Sequence, residues 1–128
     1  MHIQNWKLGI KIKEMKKRSV LIIDDETDLC ILLYSYLKRK DFDVQFRHNL
    51  KDGLAIINLM QPDVLFLDNN LPDGLGWEMA PELAKAFPKT RINLISAFHP
   101  NPPKFDNSNN VNIIEKPIST NTLDKYLN

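Results

Sequence analysis

Apolar residues in this chain follow two spacings that take turns along its length. Val20-Leu21-Ile22-Ile23 and Val64-Leu65-Phe66-Leu67 are unbroken apolar runs. Runs this short suit strands buried on both faces, as in a parallel sheet. Between them, apolar positions recur three and four apart, which is helical spacing. Leu29, Leu32, Leu33, Tyr36 and Leu37 form such a stripe and predict a helix over about Thr27 to Arg39. Asp43 to Arg47 alternates instead, Val44 and Phe46 against Gln45 and Arg47, which predicts a more exposed, edge-like strand. Asn49 is placed to cap a helix running to about Met60. A strand over Val64 to Asp68 follows. The next helix carries Trp77, Leu83, Ala84 and Phe87, with an irregular first turn at Pro81 and a stop at Pro88. Strands are expected at Arg91 to Ser96 and Val111 to Glu115, and a short last helix at about Thr120 to Leu127.

Strand and helix signals alternate five times, which argues for a parallel sheet with helices on both faces. One stretch departs from the pattern. His99 to Asn110 is rich in proline and asparagine, a composition that opposes a regular helix. At most a turn or two is expected there.

Composition adds bounds. A chain of 128 residues, 43% of them hydrophobic, suits one compact domain with its own core. The net charge of +1 points to neither nucleic acid nor membrane as a partner. Charge is unevenly placed: residues 1–18 hold six Lys/Arg against one Glu, a net of +5, and the remainder is mildly acidic. A single cysteine, Cys30, excludes an internal disulfide and suits a reducing, cytoplasmic setting. No apolar run reaches transmembrane length, and lysines interrupt the leader too often for a signal-peptide core.

The chemistry-bearing residues gather where strands end. The first strand runs into Asp24-Asp25-Glu26, the third ends on Asp68, and the fifth runs into Glu115-Lys116-Pro117. In an open parallel sheet the carboxyl ends of the strands are where ligands bind. Several carboxylates facing one lysine suggest a divalent cation with a phosphoryl group. Each residue also has a plainer reading. Asp24, Asp25 and Glu26 suit the start of a helix and its dipole. Asp68 suits a turn, Lys116 a surface and Ser96 a strand end. Cys30 reads as a small core residue, and Trp77 as packing. His2, His48 and His99 lack metal-ligand spacing and read as surface residues.

These landmarks together resemble the receiver domains of two-component response regulators. The resemblance covers about residues 17–127. It rests on Ile22-Ile23-Asp24-Asp25-Glu26, on Asp68, on the turn Leu71-Pro72-Asp73-Gly74-Leu75-Gly76, on Ser96 in Leu94-Ile95-Ser96-Ala97, and on Lys116-Pro117. It implies a flavodoxin-like (βα)5 doubly wound sheet of strand order 2-1-3-4-5, with the fourth helix short or irregular. Residues 1–16 would be a basic leader and 17–128 the receiver domain. Asp68 would be the phosphoacceptor. Asp24, Asp25, Asp68 and the backbone carbonyl of Asn70 would hold Mg2+. Ser96 and Lys116 would bind the phosphoryl oxygens. The implied donor is a histidine kinase or a histidine phosphotransfer protein. Catalysis would be confined to transfer to, and hydrolysis from, the domain's own aspartate.

Two departures from the family pattern bear on signalling. Receivers usually carry Tyr or Phe three residues before the lysine, and here that position is Ile113. The Pro/Asn-rich stretch occupies the place of the fourth helix, a face that receivers commonly use for output or dimerisation. Phe98 and Phe105 are candidates to replace the missing aromatic. With no output domain in the chain, the expected output is contact with a downstream protein, from a monomer or weak homodimer. A receiver-like adaptor that ignores phosphorylation is the alternative. A phosphatase-like hydrolase is a third reading, weakened because no second aspartate follows Asp68 in an Asp-x-Asp pattern.

Overall fold

The computed structural model describes residues 16–97 and 110–128. Five parallel strands form one sheet: β1 (Ser19–Ile23), β2 (Asp43–Arg47), β3 (Val64–Asp68), β4 (Arg91–Ser96) and β5 (Val111–Glu115). Their order across the sheet is β2-β1-β3-β4-β5, the order expected of a flavodoxin-like fold. The central strands β1, β3 and β4 are buried nearly end to end, whereas β2 lies at one edge and is only partly covered. That difference matches the unbroken apolar runs of β1 and β3 and the alternation of β2.

Helices α1 (Thr27–Arg39) and α2 (Leu50–Met60) follow β1 and β2. Lys38 and Arg39 close α1, where positive charge complements the helix dipole. Asn49 caps α2 as expected, its Oδ1 accepting the Asp52 N–H at 2.8 Å. Asp73, from the loop after β3, adds a second cap by accepting the Leu50 and Lys51 N–H groups at 2.8 Å each. These two bonds hold the Asp73 carboxyl below the usual carboxylate range. The third helix has the irregular start that Pro81 predicted. A 3-10 turn at Gly76–Met79 precedes α3 (Ala80–Ala86). The terminal helix is shorter than expected: Thr120–Leu123 is α-helical and Asp124–Tyr126 is a 3-10 turn. The end of the chain is instead pinned by side chains. Asn93, buried in mid-sheet, donates to the Tyr126 carbonyl at 3.0 Å, and Arg18 donates to the Leu127 carbonyl.

Two apolar clusters fill the two faces of the sheet. On one face Val20, Ile22 and Phe66 meet Cys30, Leu33 and Leu37 of α1 and Leu123 and Leu127 at the chain end. On the other, Leu21, Ile23, Leu65 and Leu67 meet Ile57 of α2 and Leu83 of α3. Full burial of a side chain such as Phe66 contributes about 2 kcal/mol, so these layers outweigh any local propensity. Helix α2 approaches β1 closely enough that a Cβ on Gly53 would lie 2.4 Å from the Ile23 side chain. Leu32 departs from the expected stripe: it is 47% exposed and faces outward with Ile31 and Tyr34. The helix is amphipathic over a narrower arc than its leucines suggest, because the sheet offers it only the Cys30, Leu33 and Leu37 side.

The basic leader up to Met15, including His2, lies outside the described residues. So do Phe98, His99, Phe105 and most of the Pro/Asn-rich stretch, with the expected short fourth helix.

Candidate functional site

The parallel register brings the strand ends together. Ile23 pairs with Leu67, Asp68 with Ile95, and Ser96 with Glu115. The next residues along, Asp24, Asn69 and Lys116, therefore emerge at one end of the sheet. Backbone bonds continue the ladder past the strands: Asn69 N–H to the Ile95 carbonyl at 3.1 Å and Lys116 N–H to the Ser96 carbonyl at 2.9 Å.

Asp24, Asp25 and Asp68 converge there, each offering a carboxylate oxygen within 4.8 Å of the others. Asp24 is fully buried and Asp68 nearly so, while Asp25 is exposed. Lys116 Nζ lies 3.0 Å from Asp24 Oδ2, 2.8 Å from Glu26 Oε1 and 3.5 Å from Asp68 Oδ1. Asp24 Oδ2 meets the ammonium as an ion pair without a well-directed hydrogen bond. Its Oδ1 accepts the Glu26 N–H at 2.8 Å. Hence the plain capping reading is half right. Asp24 does serve the start of α1, yet Glu26, at the cap position, makes no side-chain cap and turns its carboxylate to Lys116.

Burial pushes the Asp68 carboxyl up to about 6, with a further push from the Asp24 charge and an opposing pull from Lys116. Burial likewise raises Asp24, against the lowering pull of the Glu26 N–H and of Lys116. Burial would lower Lys116, but Glu26, Asp24 and Asp68 together raise it well above the ordinary lysine value. The site thus concentrates more negative charge than one ammonium offsets. Like-charged carboxylates held this close favour a bound cation. Three carboxylate oxygens, one reachable from solvent, suit a hard divalent ion that retains water ligands. The residues present fit such an ion.

The loop after β3 is held by its own backbone. Asn69 accepts the Gly76 N–H on its carbonyl at 2.9 Å and the Trp77 N–H on Oδ1 at 3.1 Å. A two-residue antiparallel ladder, Asn70–Leu71 with Gly74–Leu75, closes the turn. A Cβ on Gly76 would lie 2.1 Å from the Asp68 carbonyl oxygen, so only glycine fits there.

Ser96 is fully buried at the end of β4, one residue past the register partner of Asp68. Ile113 is half-buried and pairs with Leu94, two residues back from Glu115 on the same face as Ser96. Cys30 is a buried core residue as expected, its thiol pushed up to about 12 by burial and then by Asp24. Trp77 is packing, 6% exposed. His48 is not the surface residue expected. It is half-buried, with Nδ1 2.9 Å from the Asp24 carbonyl oxygen. Sequence reasoning missed Glu26 as the lysine's partner and Gly76 as a steric requirement. Glu26 carried a signal, since it extends the acidic pair. His48 carried none, because its contact exists only across the sheet.

Comparison with known proteins agrees with this geometry. Residues 20–128 match the family model of the response regulator receiver domain. Response regulator protein PilR of Pseudomonas aeruginosa is 30% identical over 84 residues, which is 66% of this chain and 19% of PilR. The chain therefore spans about a fifth of that relative. A CheY-like receiver domain from Methylobacillus flagellatus superposes with a TM-score of 0.72 at 24% identity, over 88% of this chain and 97% of that one. Response regulator TrrA of Thermotoga maritima, solved in complex with Mg2+ and a beryllium fluoride, is 26% identical with a TM-score of 0.58, over 63% of this chain and 70% of that one.

Proposed function

The chain belongs to the response regulator receiver family of two-component signalling, and from that premise we propose that it accepts a phosphoryl group on Asp68 from a histidine kinase or phosphotransfer protein. The observation that carries this reading is the Lys116 ammonium held against Asp24 and Asp68 at the carboxyl end of the sheet. An Asp68 oxygen forms a bond to phosphorus as the P–N bond of the donor's phosphohistidine breaks. The electron pair of that bond returns to the donor imidazole. The product on this chain is an acyl phosphate.

Asp24, Asp25 and Asp68, with the Asn70 carbonyl, would hold Mg2+, as the Mg2+ complex of TrrA suggests by analogy. When bound, Mg2+ neutralises the charge that builds up between two anionic reactants. Lys116 turns from Glu26 toward a phosphoryl oxygen, a short move for a flexible ammonium. Ser96, at the neighbouring strand end, donates to another oxygen once the group is attached. A contact present only after phosphorylation is what shifts a two-state equilibrium. Ile113 stands where the family carries an aromatic on the same face. It cannot swing as a ring does, so transmission to a partner runs through other residues. The output is contact with a downstream protein, in the cytoplasm, and the chemistry goes no further than the domain's own aspartate. Among the described residues no helix is long and apolar enough to cross a membrane.

Intact mass after incubation with a small phosphodonor and Mg2+ tests the reading. Wild type should gain one phosphoryl group, and Asp68→Asn should gain none while keeping its fold. Equal labelling of the variant would remove Asp68 from this role. An unlabelled wild type would favour an adaptor that binds without phosphorylation.

A further inference from the structure

Asp24 is tied at almost every polar atom. Its N–H donates to the Arg47 carbonyl at 3.0 Å, joining the end of β1 to the end of β2. Its Oδ1 takes the Glu26 N–H at 2.8 Å and its Oδ2 faces Lys116 at 3.0 Å. Its carbonyl oxygen lies 2.9 Å from His48 Nδ1 and 3.3 Å from Cys30 Sγ. A carbonyl only accepts, so His48 Nδ1 must carry the proton. A thiol is a weak donor, which leaves the imidazole as the stronger of the two. His48 comes directly after β2, and its ring lies 5.3 Å from the Phe46 ring.

The Asp24 carbonyl belongs to the peptide that joins Asp24 to Asp25. The planar trans peptide sets the Asp25 N–H antiparallel to that carbonyl, so a bond to the oxygen fixes the whole peptide plane. Asp25 is the exposed member of the acidic trio. Its carboxylate is therefore aimed by the peptide behind it.

We propose that His48 is a positioning residue for the cation site: its Nδ1–H holds the Asp24–Asp25 peptide so that Asp25 converges with Asp24 and Asp68. The inference rests on reading that trio as a divalent-cation site. His48 itself reaches neither the cation nor the phosphoryl group. Partners that orient a ligating group without touching the metal commonly change metal affinity by about 10- to 100-fold when removed.

Two variants of the full chain separate the hydrogen bond from the bulk of the ring. His48→Phe keeps a ring against Phe46 and deletes the donor. His48→Asn loses the ring but keeps an amide N–H near the position of Nδ1. Each is titrated with Mg2+ by calorimetry, and the metal-free proteins are compared by melting temperature and by the Asp25 amide resonance. His48→Phe should remain folded, bind Mg2+ about tenfold or more weakly, and shift the Asp25 amide. His48→Asn should recover most of the affinity and a near-native Asp25 amide. Wild-type affinity in His48→Phe would overturn the proposal. Equal weakness in both variants would overturn it too, because the ring and not the donor would then matter. Cation affinity and the Asp25 amide are read without phosphoryl transfer. Failure of the phosphoacceptor reading shows separately, as a wild type that binds Mg2+ and gains no mass.

Discussion

At the amino end of the sheet Asp63 sits in solvent with its Oδ2 accepting the Ser19 N–H at 2.8 Å, while at the carboxyl end Asp68 is shut away from water and faces Lys116 at 3.5 Å. The two residues bound the same strand, β3. Around Asp63 the groups at the strand ends pair with one another. Its N–H donates to the Ser19 carbonyl at 3.0 Å, and nearby Thr90 donates to the Pro62 carbonyl at 2.6 Å. Around Asp68 the carboxylates of Asp24, Glu26 and Asp68 itself converge on Lys116. One end spends its charges on closing the fold. The other stores unbalanced charge where a ligand can offset it. A parallel sheet makes this division natural, since its ligand sites lie beyond the carboxyl ends of the strands.

The sharpest break of this contrast is steric. Gly76→Ala would drive a Cβ to 2.1 Å from the Asp68 carbonyl oxygen, so the loop behind Asp68 must move. We expect a loss of about 3 kcal/mol or more in chemical denaturation, with weakened Mg2+ binding alongside. Unchanged stability would show that the loop yields freely.

Next comes the charge stored at Asp68. Its folded value of about 6 lies above the ordinary 3.8, so the folded state holds this proton more tightly than the unfolded chain does. That contribution to stability is complete below about 3.8 and is lost as pH rises through about 6. In chelator, wild type should therefore lose up to about 3 kcal/mol across this window. Asp68→Asn should lack most of that loss and be the more stable protein at pH 8 without metal. Parallel pH profiles for the two, read by denaturant midpoints, would refute the stored-charge account.

The smallest effect belongs to the amino end. Asp63→Ala removes an exposed carboxylate that accepts a backbone N–H, at a cost of about 1 kcal/mol. Phosphoryl uptake and Mg2+ affinity should not change. A loss of Mg2+ affinity in this variant would mean that the two ends of β3 are coupled, and the division drawn between them would fail.

Strand and helix positions were largely legible in the residue pattern. The bounds of α1, β2, β3, β4 and β5 fall where apolar spacing placed them, because burial in a layered sheet leaves each period its own signature. Asp24, Asp25, Asp68 and Lys116 were legible as a group, since each closes or follows an apolar run and the runs are parallel. The outward turn of Leu32 was not legible. A leucine at helical spacing looks the same whether or not the sheet is wide enough to meet it. Neither was the 3-10 ending of the terminal helix, where Asn93 and Arg18 hold the chain from distant parts of the sequence.

By itself, the order of the residues determined the alternation of strand and helix, the acids and lysine at the strand ends, and the family to which they point. These depend on local period and on nearest neighbours along the chain. Only the tertiary structure decided that Glu26 pairs with Lys116, that His48 supports the Asp24 carbonyl, and that Gly76 admits no side chain. Each of those is a contact made by the fold and not by immediate neighbours along the chain. Its geometry is set by how the strands register and how closely the loop packs, and no local pattern encodes either.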